Sequence, residues 1–127
     1  MDYFKLYETI LLALRNTEID DGYKLMKHLS YDPYIQKLRS EKDEQIIKKD
    51  IFNVVDNALT DNVIKGTRNP TMDEPVYCFK GLSTKGHKYL DLLSDDSNFK
   101  KLKKFAKKQG ASISAFSLNY LLDNLLQ

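Results

Sequence analysis

The stretch VIKGTRNPTMDEPVYCFKGLSTKGHKYL, residues 63–90, has the pattern of a β-hairpin that leads directly into a helix. Residues 63–67 and 76–80 are rich in β-branched and aromatic side chains, as strands are. The segment between them, 68–75, contains two prolines and an asparagine, which are typical of turns. Ser83 has the residue type preferred at a helix N-cap. The stretch therefore predicts two antiparallel strands and a capped helix.

The segment before this hairpin, residues 43–60, has the clearest helical period in the chain. Its apolar side chains recur at steps of three and four and cover one face of a helix. These residues are Ile47, Ile51, Val54, Val55 and Ala58. The opposite face is polar and carries Gln45, Lys49, Asn53, Asp56 and Thr60. We expect a long helix with one buried face.

Two further helices are predicted nearer the N-terminus. Residues 2–16 place apolar side chains at helical spacing, and Asp20 or Asp21 can cap a second helix that ends near Leu29. Ile19 lies between them, in a short strand or a connector. Pro33 ends the second helix or begins a short piece, 34–38, and the polar residues 39–45 are expected to form a loop.

Three helices followed directly by a hairpin is the order of a winged helix-turn-helix. The predicted fold class is mainly α with a small β-hairpin wing, and two more helices follow at the C-terminus. We expect residues 1–94 to form the winged-helix domain. Residues 95–127 are expected to form a C-terminal helical extension that packs with it as one unit.

The first C-terminal helix, about 99–109, carries a dense cluster of lysines without an acid among them. They form a basic patch of Lys100, Lys101, Lys103, Lys104, Lys107 and Lys108. Such runs are commonly solvated surface, and the alternative is a site for phosphate or acidic groups.

The last predicted helix, about 112–126, has apolar side chains all around its axis. A helix of this kind must be buried on more than one side. We therefore expect a homodimer built from these helices. The predicted interface consists of Phe116, Tyr120, Leu121, Leu122 and Leu125.

Residues 81–90, GLSTKGHKYL, resemble the passage that follows the wing in many bacterial winged-helix proteins. The likeness is to the YjcQ-like proteins and to a related family of uncharacterised proteins, both common in Gram-positive bacteria and their phages. In the related family the passage continues with features that this chain matches in order: Asp95-Asp96, Phe99, the lysines of 100–108 and a Gly-Ser-rich segment at 110–114. The resemblance covers residues 63–126 well and the N-terminal half in outline. It implies a winged-helix fold and assigns no activity.

Composition sets the broad class of protein. The chain has 127 residues and a formal net charge of +2. Residues 1–66 hold ten basic and twelve acidic side chains, whereas residues 67–127 hold ten and six. No apolar run is long enough for a membrane span, and the N-terminus does not have the pattern of a signal peptide. We expect a cytoplasmic protein that does not bind a membrane.

Catalytic, metal and cofactor sites are not predicted. Cys78 is the single cysteine, and only His28 and His87 could act as a base beside it. The alternation of its strand predicts that Cys78 is a small buried residue between two aromatic side chains. The two histidines and the cysteine do not have the spacing of a metal site, and no glycine-rich phosphate loop is present. His87 is expected at the surface.

Two functions from different classes fit these features. The first hypothesis is a DNA-binding protein of the phage or prophage regulator type, without enzymatic activity, which reads DNA with the third helix and the wing. The candidate DNA contacts are Lys48, Lys49, Asn53, Lys65, Arg68 and Lys80. Asp50 and Asp56 lie on the same helix and would repel phosphates.

The second hypothesis is a protein-interaction module on the same scaffold, for example a phage-encoded inhibitor of a host protein or defence system. The acidic first half of the chain favours this interpretation, and the basic tail favours the first.

Overall fold

A computed structural model describes residues 3–109, apart from the side chains of 102, 103 and 105–109. In the described part there are six helices and, after the fourth of them, a two-stranded antiparallel hairpin, which confirms the predicted fold class. The elements are α1 (Tyr3–Leu14), α2 (Gly22–Leu29), α3 (Pro33–Glu41), α4 (Glu44–Thr60), β1 (Ile64–Asn69), β2 (Val76–Leu82), α5 (Thr84–Ser94) and α6 (Asp96–Gln109). No helix in this part is long and apolar enough to span a membrane.

Helix α1 lies at the centre of the core. Eight of its twelve residues are buried, so most of its circumference is covered by other elements. Tyr7 is completely inaccessible to solvent, and Phe4 packs edge-on against Phe99 of α6 with ring centroids 5.9 Å apart. The lysine-rich helix is therefore joined to the winged-helix core by aromatic packing.

Helix α3 corrects the prediction of a short piece followed by a loop. Asp32 is its N-cap and accepts hydrogen bonds from the backbone N–H groups of Tyr34 and Ile35. Proline at the first helical position suits this start. The helix continues through residues 39–41, which were expected to form a loop, because Ile35 and Leu38 are both buried and hold it against the core. Four helices thus precede the hairpin.

The hairpin is joined to the chain just before α2, as a winged helix requires. The backbone N–H of Phe79 donates to the carbonyl of Asp20 at 2.8 Å, and Asp21 forms an isolated bridge with Cys78. These contacts place the residues after Ile19 beside β2, so the predicted short strand is a single bridge. Asp21 is also the N-cap of α2, which confirms one of the two predicted caps.

The passage between the wing and α5 is a compact junction. Ser83 caps α5 by accepting from the N–H of Gly86, and its own N–H and hydroxyl both donate to the carbonyl of Val63 at 3.0 Å. Gly86 lies so close to Val63 that a β-carbon would overlap the carbonyl oxygen. Ser83 and Gly86 therefore fix the start of α5 against Val63, which lies between α4 and β1.

The predicted burial of Cys78 is wrong. Cys78 is exposed, whereas Tyr77 and Phe79 on either side of it are buried. Successive side chains of a strand point to opposite faces, and this sheet has one face on the core. The two aromatic side chains occupy that face, so the cysteine between them points to solvent.

We expect Cys78 to react rapidly with a thiol reagent in the native protein, because its thiol is accessible. The rate should be close to that of the protein unfolded in denaturant. Cys78→Ser should change the free energy of unfolding by less than about 0.5 kcal/mol, as is usual for surface substitutions. Slow labelling that accelerates on unfolding would contradict this placement.

The predictions for the C-terminal helix lie outside the described residues. These are its boundaries, its cap and the homodimer interface of Phe116, Tyr120, Leu121, Leu122 and Leu125. The dimer therefore stays a prediction.

Candidate functional site

A cleft of about 960 Å³ opens between α2, α4 and the hairpin, and we call it the α4–hairpin cleft. Three separate parts of the chain form its walls, with Arg39 of α3 at one side. Its lining residues are Asp21, Gly22, Tyr23, Met26, Lys27, Arg39, Glu44, Lys48, Lys49, Phe52, Asn53, Asp56, Arg68, Glu74, Pro75, Val76 and Tyr77. The volume is within the range of sites that hold a ligand or a peptide side chain.

Stacked aromatic rings form the floor of the cleft. Phe52 of α4 lies nearly parallel to Tyr77 of β2, with ring centroids 5.0 Å apart, and Phe79 continues the stack at 5.6 Å. Gly22, the first residue of α2, lies against these rings, and a β-carbon there would be 3.3 Å from the Tyr77 ring. The small residue lets α2 approach the stack closely.

Ion pairs hold the hairpin against α4. Near the tip of the hairpin, the Nζ of Lys48 lies 2.7 Å from an Oε1 of Glu74. Further along α4, Asp56 accepts a hydrogen bond from the Tyr77 hydroxyl at 2.7 Å, and the Nε of Arg68 lies 3.4 Å from the same oxygen. The hairpin is therefore fixed to two places on α4, eight residues apart.

The hydroxyl of Tyr77 titrates abnormally because of these surroundings. Burial and donation to Asp56 raise its pKa from the ordinary value near 10 to about 12, although the nearby Arg68 opposes the shift. Both main causes favour the neutral phenol, so this group stays protonated where exposed tyrosines ionise.

We expect a late tyrosinate step in an alkaline titration followed by ultraviolet absorbance. A folded-state pKa above the unfolded value contributes stability that is complete below pH 10 and is lost between about pH 10 and 12. The free energy of unfolding should therefore fall across that range. Tyr77→Phe should remove this late step. A late step that persists in Tyr77→Phe would contradict the assignment.

Two lysines remain available at the rim of the cleft. Lys27 and Lys49 are exposed and form no ion pair with any described residue. The carboxylates of the cleft are engaged differently. Glu44 pairs with Arg39 at 2.9 Å. Glu74 of the hairpin pairs with Lys48 of α4, and Asp56 of α4 pairs with Arg68 of the hairpin. Asp21 caps α2. Each charge in the cleft other than these two lysines thus has a local role.

The structure brings together some of the candidate DNA contacts and separates others. Lys48, Lys49, Asn53 and Arg68 all line the α4–hairpin cleft. Lys65 and Lys80 are exposed on the two strands of the hairpin and do not line it. Lys48 and Arg68 are also ion-paired, which the sequence did not indicate.

The apolar part of the site was not predicted from the sequence. Tyr23, Met26, Phe52, Val76 and Tyr77 line the cleft, and none was predicted to do so. Tyr23 and Val76 are respectively 77% and 54% exposed. An apolar side chain outside the periodic stripe of its helix, such as Phe52, was the one available signal.

The basic patch lies on α6, apart from the cleft lining. Lys100, Lys101 and Lys104 are exposed, and the side chains of Lys103, Lys107 and Lys108 are outside the described set.

Within residues 3–109, acidic, histidine and cysteine side chains form no cluster that could hold a metal ion. His28 and His87 are both exposed.

Comparison with known proteins adds a family. The model of the family described as "Hypothetical protein (DUF2513)" matches residues 5–112, which is most of the chain. The chain belongs to the DUF2513 family. No curated protein and no solved structure matches it. Because the description of the DUF2513 family states no activity, the function has to be argued from the geometry of the cleft. The resemblance to the YjcQ-like proteins stays a prediction.

Proposed function

We propose that this DUF2513 protein is a cytoplasmic interaction module without enzymatic activity, and that it holds a segment of another protein in the α4–hairpin cleft. The observation that carries the proposal is the chemistry of the lining: an aromatic floor beneath a rim of five basic and four acidic side chains. Protein interfaces combine buried aromatic residues with a polar rim. A phage-encoded inhibitor of a host protein would be one instance.

The charge balance of the cleft disfavours duplex DNA. Proteins bind duplex DNA chiefly by placing basic side chains against phosphates. Here Lys48 and Arg68 are held by carboxylates, and a phosphate near either would also lie near Glu74 or Asp56. Binding would have to overcome this repulsion or break the ion pairs.

The position of the hairpin gives a second, steric argument. The major groove is about 12 Å wide and accommodates a single helix. A helix with its side chains already has a diameter of about 10–12 Å. The pair formed by Lys48 and Glu74 places the hairpin tip beside α4. The cleft between α2, α4 and the hairpin is large enough for side chains of a protein segment.

Capture from a lysate of the source organism, with and without nuclease, tests the proposal. We expect a protein that is retained by the wild type, that withstands nuclease, and that is lost with Val76→Glu, which puts a charge into the cleft. Leu12→Glu is the matched control, because Leu12 is also a partly exposed apolar residue and does not line the cleft. Retention that nuclease abolishes, or that Val76→Glu leaves unchanged, would contradict the proposal.

A regulator that binds DNA is the second candidate, and one observation favours it. Lys27 and Lys49 on the cleft rim and Lys65 and Lys80 on the hairpin are four exposed lysines, and none of them has an ion pair in the described part of the chain. They lie on elements that contact DNA in other winged helices.

This candidate predicts steep dependence on salt. The logarithm of the affinity for random duplex should fall with the logarithm of salt concentration, with a slope of about −0.9 for each phosphate contacted. Lys49→Ala should weaken binding without lowering thermal stability, whereas Arg68→Ala should weaken binding and also remove the ion pair with Asp56. Charge reversal of Lys100 and Lys104 separates this surface from the basic patch. Duplex binding that is unchanged in Lys49→Ala and Arg68→Ala would remove the cleft face as a DNA site.

A further inference from the structure

We infer that the segment bound in the α4–hairpin cleft carries an acidic residue next to an aromatic or large aliphatic anchor. This inference rests on the proposed function and names the chemistry of the partner. It follows from two properties of the cleft, the charge that remains after the internal pairs are formed and the shape of the apolar floor.

The first property is the sign of the remaining charge. Three of the four lining carboxylates are paired with Arg39, Lys48 or Arg68. The fourth, Asp21, accepts from the backbone N–H of Lys24 at the N-terminus of α2, where the partial positive charge of the helix offsets its own. Only Lys27 and Lys49 are without such a partner among the described residues that line the cleft, so a complementary ligand supplies carboxylates.

The second property is the apolar surface between α2 and the hairpin. Met26 of α2, Val76 of β2 and the stacked rings of Phe52 and Tyr77 line the same cleft. Val76, which precedes Tyr77 in β2, also lines the cleft and is more than half exposed. A single large apolar side chain that fills this space would contact Met26 and the rings. Central anchors of this kind supply most of the binding energy in protein interfaces.

A single-stranded nucleic acid is the other macromolecule that combines rings with negative charge. Its bases could stack on aromatic side chains while its phosphates contact lysines. Its phosphates recur at every nucleotide, however, and the cleft alternates basic with acidic side chains at Lys48 and Glu74 and at Arg68 and Asp56. A peptide can place its carboxylates at Lys27 and Lys49 alone, and the pattern therefore favours a peptide.

Selection from a random peptide-display library tests the inference, with the whole protein as bait. We expect the wild type to enrich peptides that contain Phe, Trp, Leu or Met flanked by Asp or Glu. A double variant, Lys27→Glu with Lys49→Glu, should enrich the same anchors flanked by Lys or Arg. Both lysines are exposed, so this variant should remain folded.

Affinities of one selected peptide complete the test. Lys27→Gln with Lys49→Gln should weaken binding about fivefold, as expected for two exposed ion pairs. Replacing the anchor of the peptide by alanine should weaken it tenfold or more. Raising the salt concentration should reduce the effect of the lysine substitutions and leave the effect of replacing the anchor unchanged.

The outcomes separate the inference from the proposed function. If the wild type and the charge-reversed variant select peptides with the same flanking residues, the inference of an acidic partner is overturned. The proposed function, a cleft that binds protein, would then still stand. If the wild type enriches no peptides beyond those enriched by Val76→Glu, both the inference and the proposed function are overturned. Both are also overturned if no peptides are enriched and the protein instead self-associates in a way that Val76→Glu abolishes. Displacement of a selected peptide by single-stranded DNA but not by an acidic peptide would assign the cleft to nucleic acid and overturn the inference.

Discussion

Gly86→Ala should destabilise the protein by about 1–3 kcal/mol, the usual cost of forcing an extra methyl group into a packed site. The sign is informative, because glycine to alanine in a helix interior ordinarily stabilises by about 1 kcal/mol. Here the new β-carbon would overlap the carbonyl oxygen of Val63. That oxygen also accepts two hydrogen bonds from Ser83, so it cannot move away without losing them.

Urea unfolding measures this effect, with His87→Ala as the control. His87 is the next residue of the same helix and is exposed, so its replacement should change the free energy of unfolding by less than about 0.5 kcal/mol. A Gly86→Ala protein as stable as the wild type, or more stable, would show that α5 and Val63 are not in close contact.

Tyr77→Ala should have the largest effect, about 3–5 kcal/mol, which is typical for the loss of a buried aromatic side chain. Tyr77 is 6% exposed, and its ring lies between Phe52 and Phe79. The substitution removes the middle of the stack and leaves Asp56 with Arg68 alone. The floor of the cleft is lost, and the hairpin loses the hydrogen bond of Tyr77 to α4.

Tyr77→Phe separates the ring from the hydroxyl. The stack remains, and the lost hydrogen bond to Asp56 should cost about 1 kcal/mol. In urea unfolding, the loss of stability in Tyr77→Phe therefore measures the hydroxyl contribution. The further loss in Tyr77→Ala measures the contribution of ring packing. Equal destabilisation by both would mean that the hydrogen bond, and not the aromatic stack, holds the hairpin.

Local patterns predicted the elements well where the deciding chemistry is local. The caps at Asp21 and Ser83 and the buried stripe of α4 are properties of a few neighbouring residues, and the structure confirms them. Helix α3 was missed beyond its first turn because its last residues are polar and are helical through the tertiary anchoring of Ile35 and Leu38. Propensity alone gives a weak prediction in such cases.

The cleft could not be predicted from the sequence because its chemistry is not local. Lys48 and Glu74 are 26 positions apart, and Tyr77 and Asp56 are 21 apart, so neither pair has a recognisable spacing. The pattern of polar side chains on α4 and the wing predicted six DNA contacts, of which Lys48, Lys49, Asn53 and Arg68 line the cleft. It could not show that Lys48 and Arg68 are neutralised by partners from the other element.

Photo-crosslinking from position 76 tests the central claim, that the α4–hairpin cleft holds another protein, most directly. A photoreactive amino acid replaces Val76 in the cleft lining or, as the control, Leu12 outside it. Cells of the source organism that produce the variant are then irradiated. Val76 is exposed enough to accept the probe without disturbing the core. The account predicts a discrete protein adduct from position 76 that withstands nuclease and that is absent from position 12. Adducts that nuclease removes, or the same adducts from both positions, would contradict it.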